Sequence, residues 1–213
     1  MLADQSAVGD ALAAALSIRG LAAMADDCAE HLGPADGPLA PGRPGRLAPP
    51  TTGVVSCTVD DGLSLASVQA FLCSSPGCWV VVTDPPVDAR WGALLVAGAA
   101  EVVGTGRDLD ELVSVLRRVD GGALEAPGSR EDTARAAFLC WADLHPPEEA
   151  TLAALSRIDR RELSRLRRLL RTGADAGGAE EGCTAAVLHE LGVADDLAAV
   201  AAVRALDTAL LER

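Results

Sequence analysis

Between residues 54 and 119 the sequence alternates three times between a short apolar run and an amphipathic stretch. The apolar runs span 54–59, 78–83 and 101–103, and the amphipathic stretches span 64–73, 88–97 and 108–119. The run Trp79-Val80-Val81-Val82 contains no polar residue, as expected for a strand covered on both faces. Strands that alternate with helices at this spacing are typical of βα units. The sequence therefore predicts an α/β fold with a parallel sheet.

The segments on either side differ from this pattern. Residues 4–19 predict a helix, and a short strand is expected at 20–25. Six prolines between 33 and 53 exclude a regular helix and predict a long extended loop. After Gly121-Gly122 only helical patterns follow, at 130–144, 147–171 and 181–211. We therefore expect an α/β domain over 1–122, a linker with a connector helix over 123–150, and an all-α domain over 151–213.

Charge and composition exclude several function classes. The net charge of −13 disfavours non-specific attraction to nucleic acid or anionic membranes. All eighteen basic residues are Arg, so Schiff-base and P-loop chemistry, which need Lys, are excluded. Residues 151–213 contain nine Arg against ten acidic residues, so any contact with nucleic acid is expected there.

The cysteines and histidines predict no metal site and no cofactor. The six cysteines are scattered, form no CxxC pair and lie mostly in apolar stretches, which predicts buried thiols. The three histidines lie at no metal-ligand spacing. No stretch approaches 18 consecutive apolar residues and no signal-peptide pattern opens the chain. The expectation is a cytoplasmic protein without a membrane segment.

Several short motifs resemble a known family. Gly98-Ala99-Ala100-Glu101-Val102-Val103-Gly104-Thr105, followed by Leu109-Asp110-Glu111-Leu112 and Arg117-Arg118-Val119-Asp120-Gly121-Gly122, resembles the fifth strand and last helix of receiver domains attached to LuxR/NarL-type DNA-binding domains. Leu2-Ala3-Asp4-Gln5 resembles the end of the first receiver strand. Ile158 to Leu163 before Leu169-Leu170, and Leu191 to Asp196 before Ala199-Val200, resemble two points of the LuxR-type helix-turn-helix. The resemblance implies a receiver-like (flavodoxin-like) doubly wound parallel sheet followed by a small all-α helix-turn-helix-like module.

The same resemblance implies that the phosphorylation machinery has been lost. Receivers use an acidic pair for Mg²⁺, an Asp acceptor, a hydroxyl residue and a Lys, because the transferring oxygens need a metal and a cation. The matching positions here form a vestigial phosphorylation pocket of Asp4, Gln5, Thr58, Thr83 and Thr105. Asp60 and Asp61 stand close enough to Thr58 for a displaced acceptor, although a solvated acidic turn is the simpler interpretation. No catalytic residue is expected, and no Ser/His/Asp or Cys/His arrangement indicates an enzyme.

One stretch of the all-α part is strongly basic. The candidates for contacts to DNA phosphates are Arg160, Arg161, Arg165, Arg167, Arg168 and Arg171. The alternative is a solvated face whose guanidinium groups pair with acidic side chains of the same chain. In the family, a later helix contacts the bases in the major groove. The stretch we expect to be equivalent to that helix, 184–191, contains no Arg. The final helix has an apolar side, which predicts a core or a dimer interface.

Two functions follow from this resemblance. The first is a transcriptional regulator of the LuxR/NarL response-regulator type that works without phosphorylation, as a homodimer or as a heterodimer with a related regulator. The second is a regulatory partner protein that acts by protein contacts and binds no DNA. A small-molecule effector in the vacated pocket stays open for both, because parallel α/β sheets bind ligands at the carboxyl ends of their strands.

Overall fold

A five-stranded parallel sheet lies in the N-terminal part of the chain. The computed structural model describes residues 2–3, 6–21, 23, 26–27, 52–75, 77–84, 88–122, 130–172 and 182–212. The strands are β1 (Leu2–Ala3), β2 (Asp26–Asp27), β3 (Thr52–Ser56), β4 (Cys78–Thr83) and β5 (Ala99–Gly104). All pair in parallel, in the order β2-β1-β3-β4-β5. The prediction of an α/β fold with a parallel sheet is confirmed.

Nine helices are present in the described part of the chain: α1 (Ser6–Ile18), α2 (Gly62–Ser74), α3 (Ala89–Val96), α4 (Leu109–Asp120), α5 (Arg130–Leu144), α6 (Pro146–Leu155), α7 (Arg160–Thr172), α8 (Ala185–Leu191) and α9 (Asp196–Leu211). Aspartate side chains fix the first turns of α2, α3, α4 and α9 by accepting backbone N–H bonds. Such caps satisfy donors that a helix start otherwise leaves unpaired. The strand at 78–83 and the helix at 130–144 begin and end where the sequence predicts.

The sheet is apolar on both faces. Neighbouring strand residues point to opposite faces, and Val54 and Val55 accordingly belong to two different core clusters. One cluster joins the sheet to α1 and α4. The other joins it to α2, α3 and the C-terminal helices. Both faces of the central strands are therefore covered by helices.

The C-terminal helices extend the second cluster without a break. Ala134, Phe138 and Trp141 of α5 are buried, and α5 packs so closely on α3 that a methyl group added to Gly92 would lie 2.6 Å from Phe138 Cβ. The same cluster continues to Leu210 in α9. Residues 123–129 lie outside the described residues, but the expected connector helix, 130–144, is itself part of the packed core.

Two long helices predicted from the sequence are each divided. The stretch 147–171 forms α6 and α7, because Asp159 accepts the N–H of Glu162 at 3.0 Å and starts a new helix. The stretch 181–211 forms α8 and α9, which are separated where Gly192 adopts a φ of +67°. A left-handed residue of this kind ends helices and favours glycine. The predicted strand 54–59 is shifted to 52–56.

Candidate functional site

Two of the predicted pocket residues lie together at the carboxyl ends of β4 and β5. The N–H of Thr105 donates to the carbonyl oxygen of Thr83 at 3.2 Å. Thr83 is fully buried, and its hydroxyl has no hydrogen-bond partner among the described residues. The Thr105 hydroxyl donates to the carboxylate of Asp84. Two hydroxyl groups therefore lie at the carboxyl ends of these strands, and the Thr105 hydroxyl is hydrogen-bonded to Asp84.

Of the other three predicted pocket residues, only Thr58 lies within the described residues. Asp4 and Gln5 lie outside the described residues. Thr58 is exposed and follows the end of β3. The register pairs Ser56 with Val82, and continuing it by one residue sets Cys57, not Thr58, opposite Thr83. The residue next to the buried Thr83 hydroxyl is thus Cys57, whose side chain is a thiol and not an acceptor carboxylate.

The acidic turn after β3 begins α2. Asp61 accepts the N–H of Ser64 at 2.6 Å and lies 3.7 Å from the guanidinium group of Arg167. Both contacts involve the same oxygen, Oδ1, and they hold the Asp61 carboxylate at the first turn of α2. Asp60 is exposed. Asp60 is the freer of the two carboxylates, so the alternative of a displaced acceptor depends on Asp60.

One cation near this edge was not anticipated. Arg90 is 9% exposed; its guanidinium group pairs with Asp88 at 2.5 Å and donates to the carbonyl oxygen of Val59 at 3.4 Å. It therefore ties the first turn of α3 to the loop after β3. Because Asp88 neutralises it, Arg90 provides no unpaired positive charge for a phosphoryl group. The sequence signal for this ion pair was an Asp at the expected start of a helix, Asp88, with an Arg two residues later, Arg90.

A cavity of about 320 Å³ lies between α1 and α4, beside the ends of β3, β4 and β5. Most of its lining is apolar, and the polar part includes Ser56, Thr105 and Arg107. Cavities that bind small molecules combine apolar walls with a few polar groups in this way. Thr105 is the only member of the predicted pocket within its described lining.

The Arg-rich stretch forms α7, whose Leu163, Leu166 and Leu169 are buried in the core. Two predicted DNA contacts are engaged within the chain. Arg165 pairs with Glu162 at 2.6 Å, and Arg167 donates to the Ser64 hydroxyl at 3.1 Å. The other four candidates are exposed at Arg160, Arg161, Arg168 and Arg171. The helix thus combines intrachain pairing with exposed guanidinium groups, and each feature agrees with one of the two interpretations.

Helices α8 and α9 are joined by a short turn. The stretch 184–191, where we expect base reading, forms α8 with Thr184 as its N-cap. The basic side chain that α9 contributes is Arg204. Val200, Val203, Leu206 and Leu210 of the predicted apolar side are buried, but Leu197 is 66% exposed. The prediction that this side forms a core is confirmed for those four residues.

Polar contacts help to hold α9 and α7 to the rest of the protein. The N–H of Gly62 donates to the Asp207 carboxylate at 2.7 Å, and the Trp141 indole N–H donates to the carbonyl oxygen of Ala209 at 2.9 Å. Arg167 adds the contact to α2 described above. The polar face of α9 near Asp207 is therefore turned toward the α/β part.

The thiols differ from the expectation of buried cysteines, because Cys73 and Cys140 are exposed. Burial, with Asp196 nearby, raises the pKa of the Cys183 thiol to about 12, so this thiol stays protonated.

Within the described ranges no group of three His, Cys, Asp or Glu is placed to hold a metal ion. No helix in those ranges is long and apolar enough to cross a membrane. No family model, curated protein or solved structure matches this chain.

Proposed function

We propose that this protein is a transcriptional regulator of the LuxR/NarL response-regulator type that works without phosphorylation, from a receiver-like doubly wound α/β domain and a helix-turn-helix-like module. The observation that carries the proposal is the parallel strand order β2-β1-β3-β4-β5 with Thr83 and Thr105 at its carboxyl edge. This order is the flavodoxin-like one, in which function lies at that edge. The helix pair α8–α9 supports the second module.

The chemistry of the edge favours independence from phosphorylation. Phosphoryl transfer needs an acceptor carboxylate and positive charge on the transferring oxygens. β3 ends at Ser56 and is followed by Cys57 and Thr58, and the nearby Arg90 is neutralised by Asp88. Among the described residues, the strand ends therefore provide neither an acceptor carboxylate at the end of β3 nor an unpaired cation, which supports independence from phosphorylation. Regulation would then respond to protein concentration, to a partner or to a ligand in the apolar cavity.

A regulatory partner protein that binds no DNA is the second candidate. It is favoured by the way α9 is held, since Asp207 bonds to α2 and Arg204 is the basic side chain that α9 presents. Base reading in the major groove needs several polar or basic side chains on one helix. In this case the regulator acts through a dimer with a related chain.

Intact-mass measurement after incubation with phosphoramidate and Mg²⁺ tests the first part of the proposal. We expect no added phosphoryl mass. An intact receiver treated in parallel serves as the positive control. A phosphoryl group that disappears in Asp60→Asn, and not in Asp61→Asn, would identify a displaced acceptor and overturn independence from phosphorylation.

Binding to a duplex from upstream of its own gene, measured at several salt concentrations, separates the two candidates. For the DNA-binding regulator, Arg161→Gln is expected to reduce the slope of log affinity against log salt by about 1, as for one lost phosphate contact. Arg107→Gln is the control, because Arg107 is exposed on the α/β part, where it pairs with Glu111 at 2.9 Å. A protein that ignores DNA at every salt concentration would support the partner function instead.

A further inference from the structure

We propose that a cavity between α2, α7 and α9 binds a small phosphate-bearing anion. The cavity measures about 250 Å³, and its charged lining is formed by Arg167, Arg171, Arg204, Asp61 and Asp207. It shares no lining residue with the cavity of about 320 Å³ between α1 and α4. This site shares Arg167 and Arg171 with the candidate DNA contacts and no residue with the vestigial pocket, and it joins the α/β part to the C-terminal helices.

Two of the three guanidinium groups have no side-chain partner among the described residues. Those of Arg171 and Arg204 make no hydrogen bond or ion pair there, although the chain has a net charge of −13 and acidic groups are abundant. They come from different helices, α7 and α9, and line the same space. Two unpaired positive charges at one cavity attract an anion that can bridge them.

The carboxylates of the lining are occupied by donors of the protein. Asp61 accepts the N–H of Ser64 at 2.6 Å and pairs with Arg167 at 3.7 Å. Asp207 accepts the N–H of Gly62 at 2.7 Å. Burial raises the pKa of the Asp207 carboxyl, and the neighbouring Asp61 and Asp60 raise it further. The N–H groups of Ser64 and Gly62 thus engage both carboxylates, and the guanidinium groups of Arg171 and Arg204 are left to bind the anion.

The geometry fits a phosphate group. A guanidinium group offers a planar fork of donors that matches phosphate oxygens in pairs. The N-terminus of the 13-residue helix α2 lies at the same cavity through Asp61 and Leu63, and its dipole adds positive potential. The volume is below the 300–1,000 Å³ or so of sites for drug-sized ligands, which favours inorganic phosphate, pyrophosphate or a small phosphomonoester.

A bound anion would link α7 and α9 to each other and to the start of α2. Because the unfolded chain lacks this arrangement, binding is expected to raise the melting temperature as the ligand concentration increases. Phosphate would then strengthen the contact between the two parts of the protein.

Isothermal titration calorimetry with inorganic phosphate and with pyrophosphate, at constant ionic strength, tests the proposal. We expect saturable one-to-one binding of at least one probe, with a Kd below about 10 mM. Arg171→Gln and Arg204→Gln should each weaken binding about tenfold or more, since each removes charged donors. Arg161→Gln, the same change at an exposed position of α7 outside the cavity, should change the Kd less than twofold or so.

Asp207→Asn gives a test of opposite sign. The amide oxygen can still accept the Gly62 N–H while the negative charge is gone, so phosphate should bind more tightly than to the parent protein. Unchanged circular dichroism and melting temperature without ligand show that Arg171→Gln and Arg204→Gln are folded, because Arg171 and Arg204 are exposed. Unchanged circular dichroism shows the same for Asp207→Asn. The proposal is overturned if neither probe binds saturably, if Arg161→Gln weakens binding as much as the cavity variants, or if these arginines bind only duplex DNA.

Discussion

Leu206→Ala tests whether the C-terminal helices and the α/β part unfold as one unit. Leu206 of α9 is 0% exposed, and a methyl group added to Gly62 of α2 would lie 2.6 Å from its Cδ2 atom. Removing a fully buried leucine side chain costs about 3 kcal/mol or more, because apolar contacts are lost and a cavity remains. For a chain of this length that corresponds to a melting temperature lower by about 6–12 °C.

Urea unfolding followed by circular dichroism and by tryptophan fluorescence is the assay. Trp141 contacts α9 directly through Ala209, so both the reference and the variant carry Trp141→Phe. Fluorescence then reports from Trp79 and Trp91 of the α/β part. Because one buried cluster runs from Val55 to Leu210, we expect both signals to shift together to a lower midpoint.

Leu197→Ala is the matched control, on the same helix but at a side chain that is 66% exposed. Its effect should stay within about 0.5 kcal/mol. If Leu206→Ala lowers the midpoint of the circular dichroism signal while the fluorescence midpoint of Trp79 and Trp91 stays unchanged, the two parts fold separately and the inference of one continuous core is refuted.

Three further predictions concern single positions. Gly92→Ala places a methyl group 2.6 Å from Phe138 Cβ and should cost about 2–3 kcal/mol in urea unfolding; an unchanged midpoint would contradict the close contact of α3 and α5. Thr83→Val removes a buried hydroxyl without a partner among the described residues and should stabilise the protein by about 1 kcal/mol, whereas destabilisation would reveal a hydrogen bond of that hydroxyl. Burial raises the pKa of the Asp207 carboxyl, and it raises that of Glu101 although the ion pair with Arg118 lowers it. The folded state therefore holds more protons than the unfolded state. These two groups make the free energy of unfolding fall as the pH rises from about 4 through their raised pKa values. Asp207→Asn should flatten that fall in melting curves taken across this range, and an unchanged pH dependence would count against a raised pKa.

The sequence predicted much of the local structure, because local signals determine it. The apolar run 78–83 lies between Gly77 and Asp84, so both ends of β4 were marked. The break between α6 and α7 was missed because neither Pro nor Gly marks it. Its signal was Asp159 followed three residues later by Glu162, a spacing typical of a helix start.

The candidate site was less predictable, because it depends on register and on contacts between distant residues. A shift of one residue in β3 decides whether Cys57 or Thr58 stands beside Thr83, and no local pattern fixes that shift. The cavity at Arg171 and Arg204 joins residues from α7 and α9, which only packing brings together. The basic character of α7 was visible in the sequence, but the burial of its leucines and the pairing of Arg167 with Asp61 required the fold.

Fluorescence anisotropy of a labelled duplex from upstream of its own gene tests the central claim most directly. The untreated protein and protein incubated with phosphoramidate and Mg²⁺ are titrated side by side at low and moderate salt. The account predicts saturable binding with the same affinity for both samples and a loss of affinity as salt rises. Binding that appears only after phosphoramidate treatment, or no binding at either salt concentration, would contradict a DNA-binding regulator that works without phosphorylation.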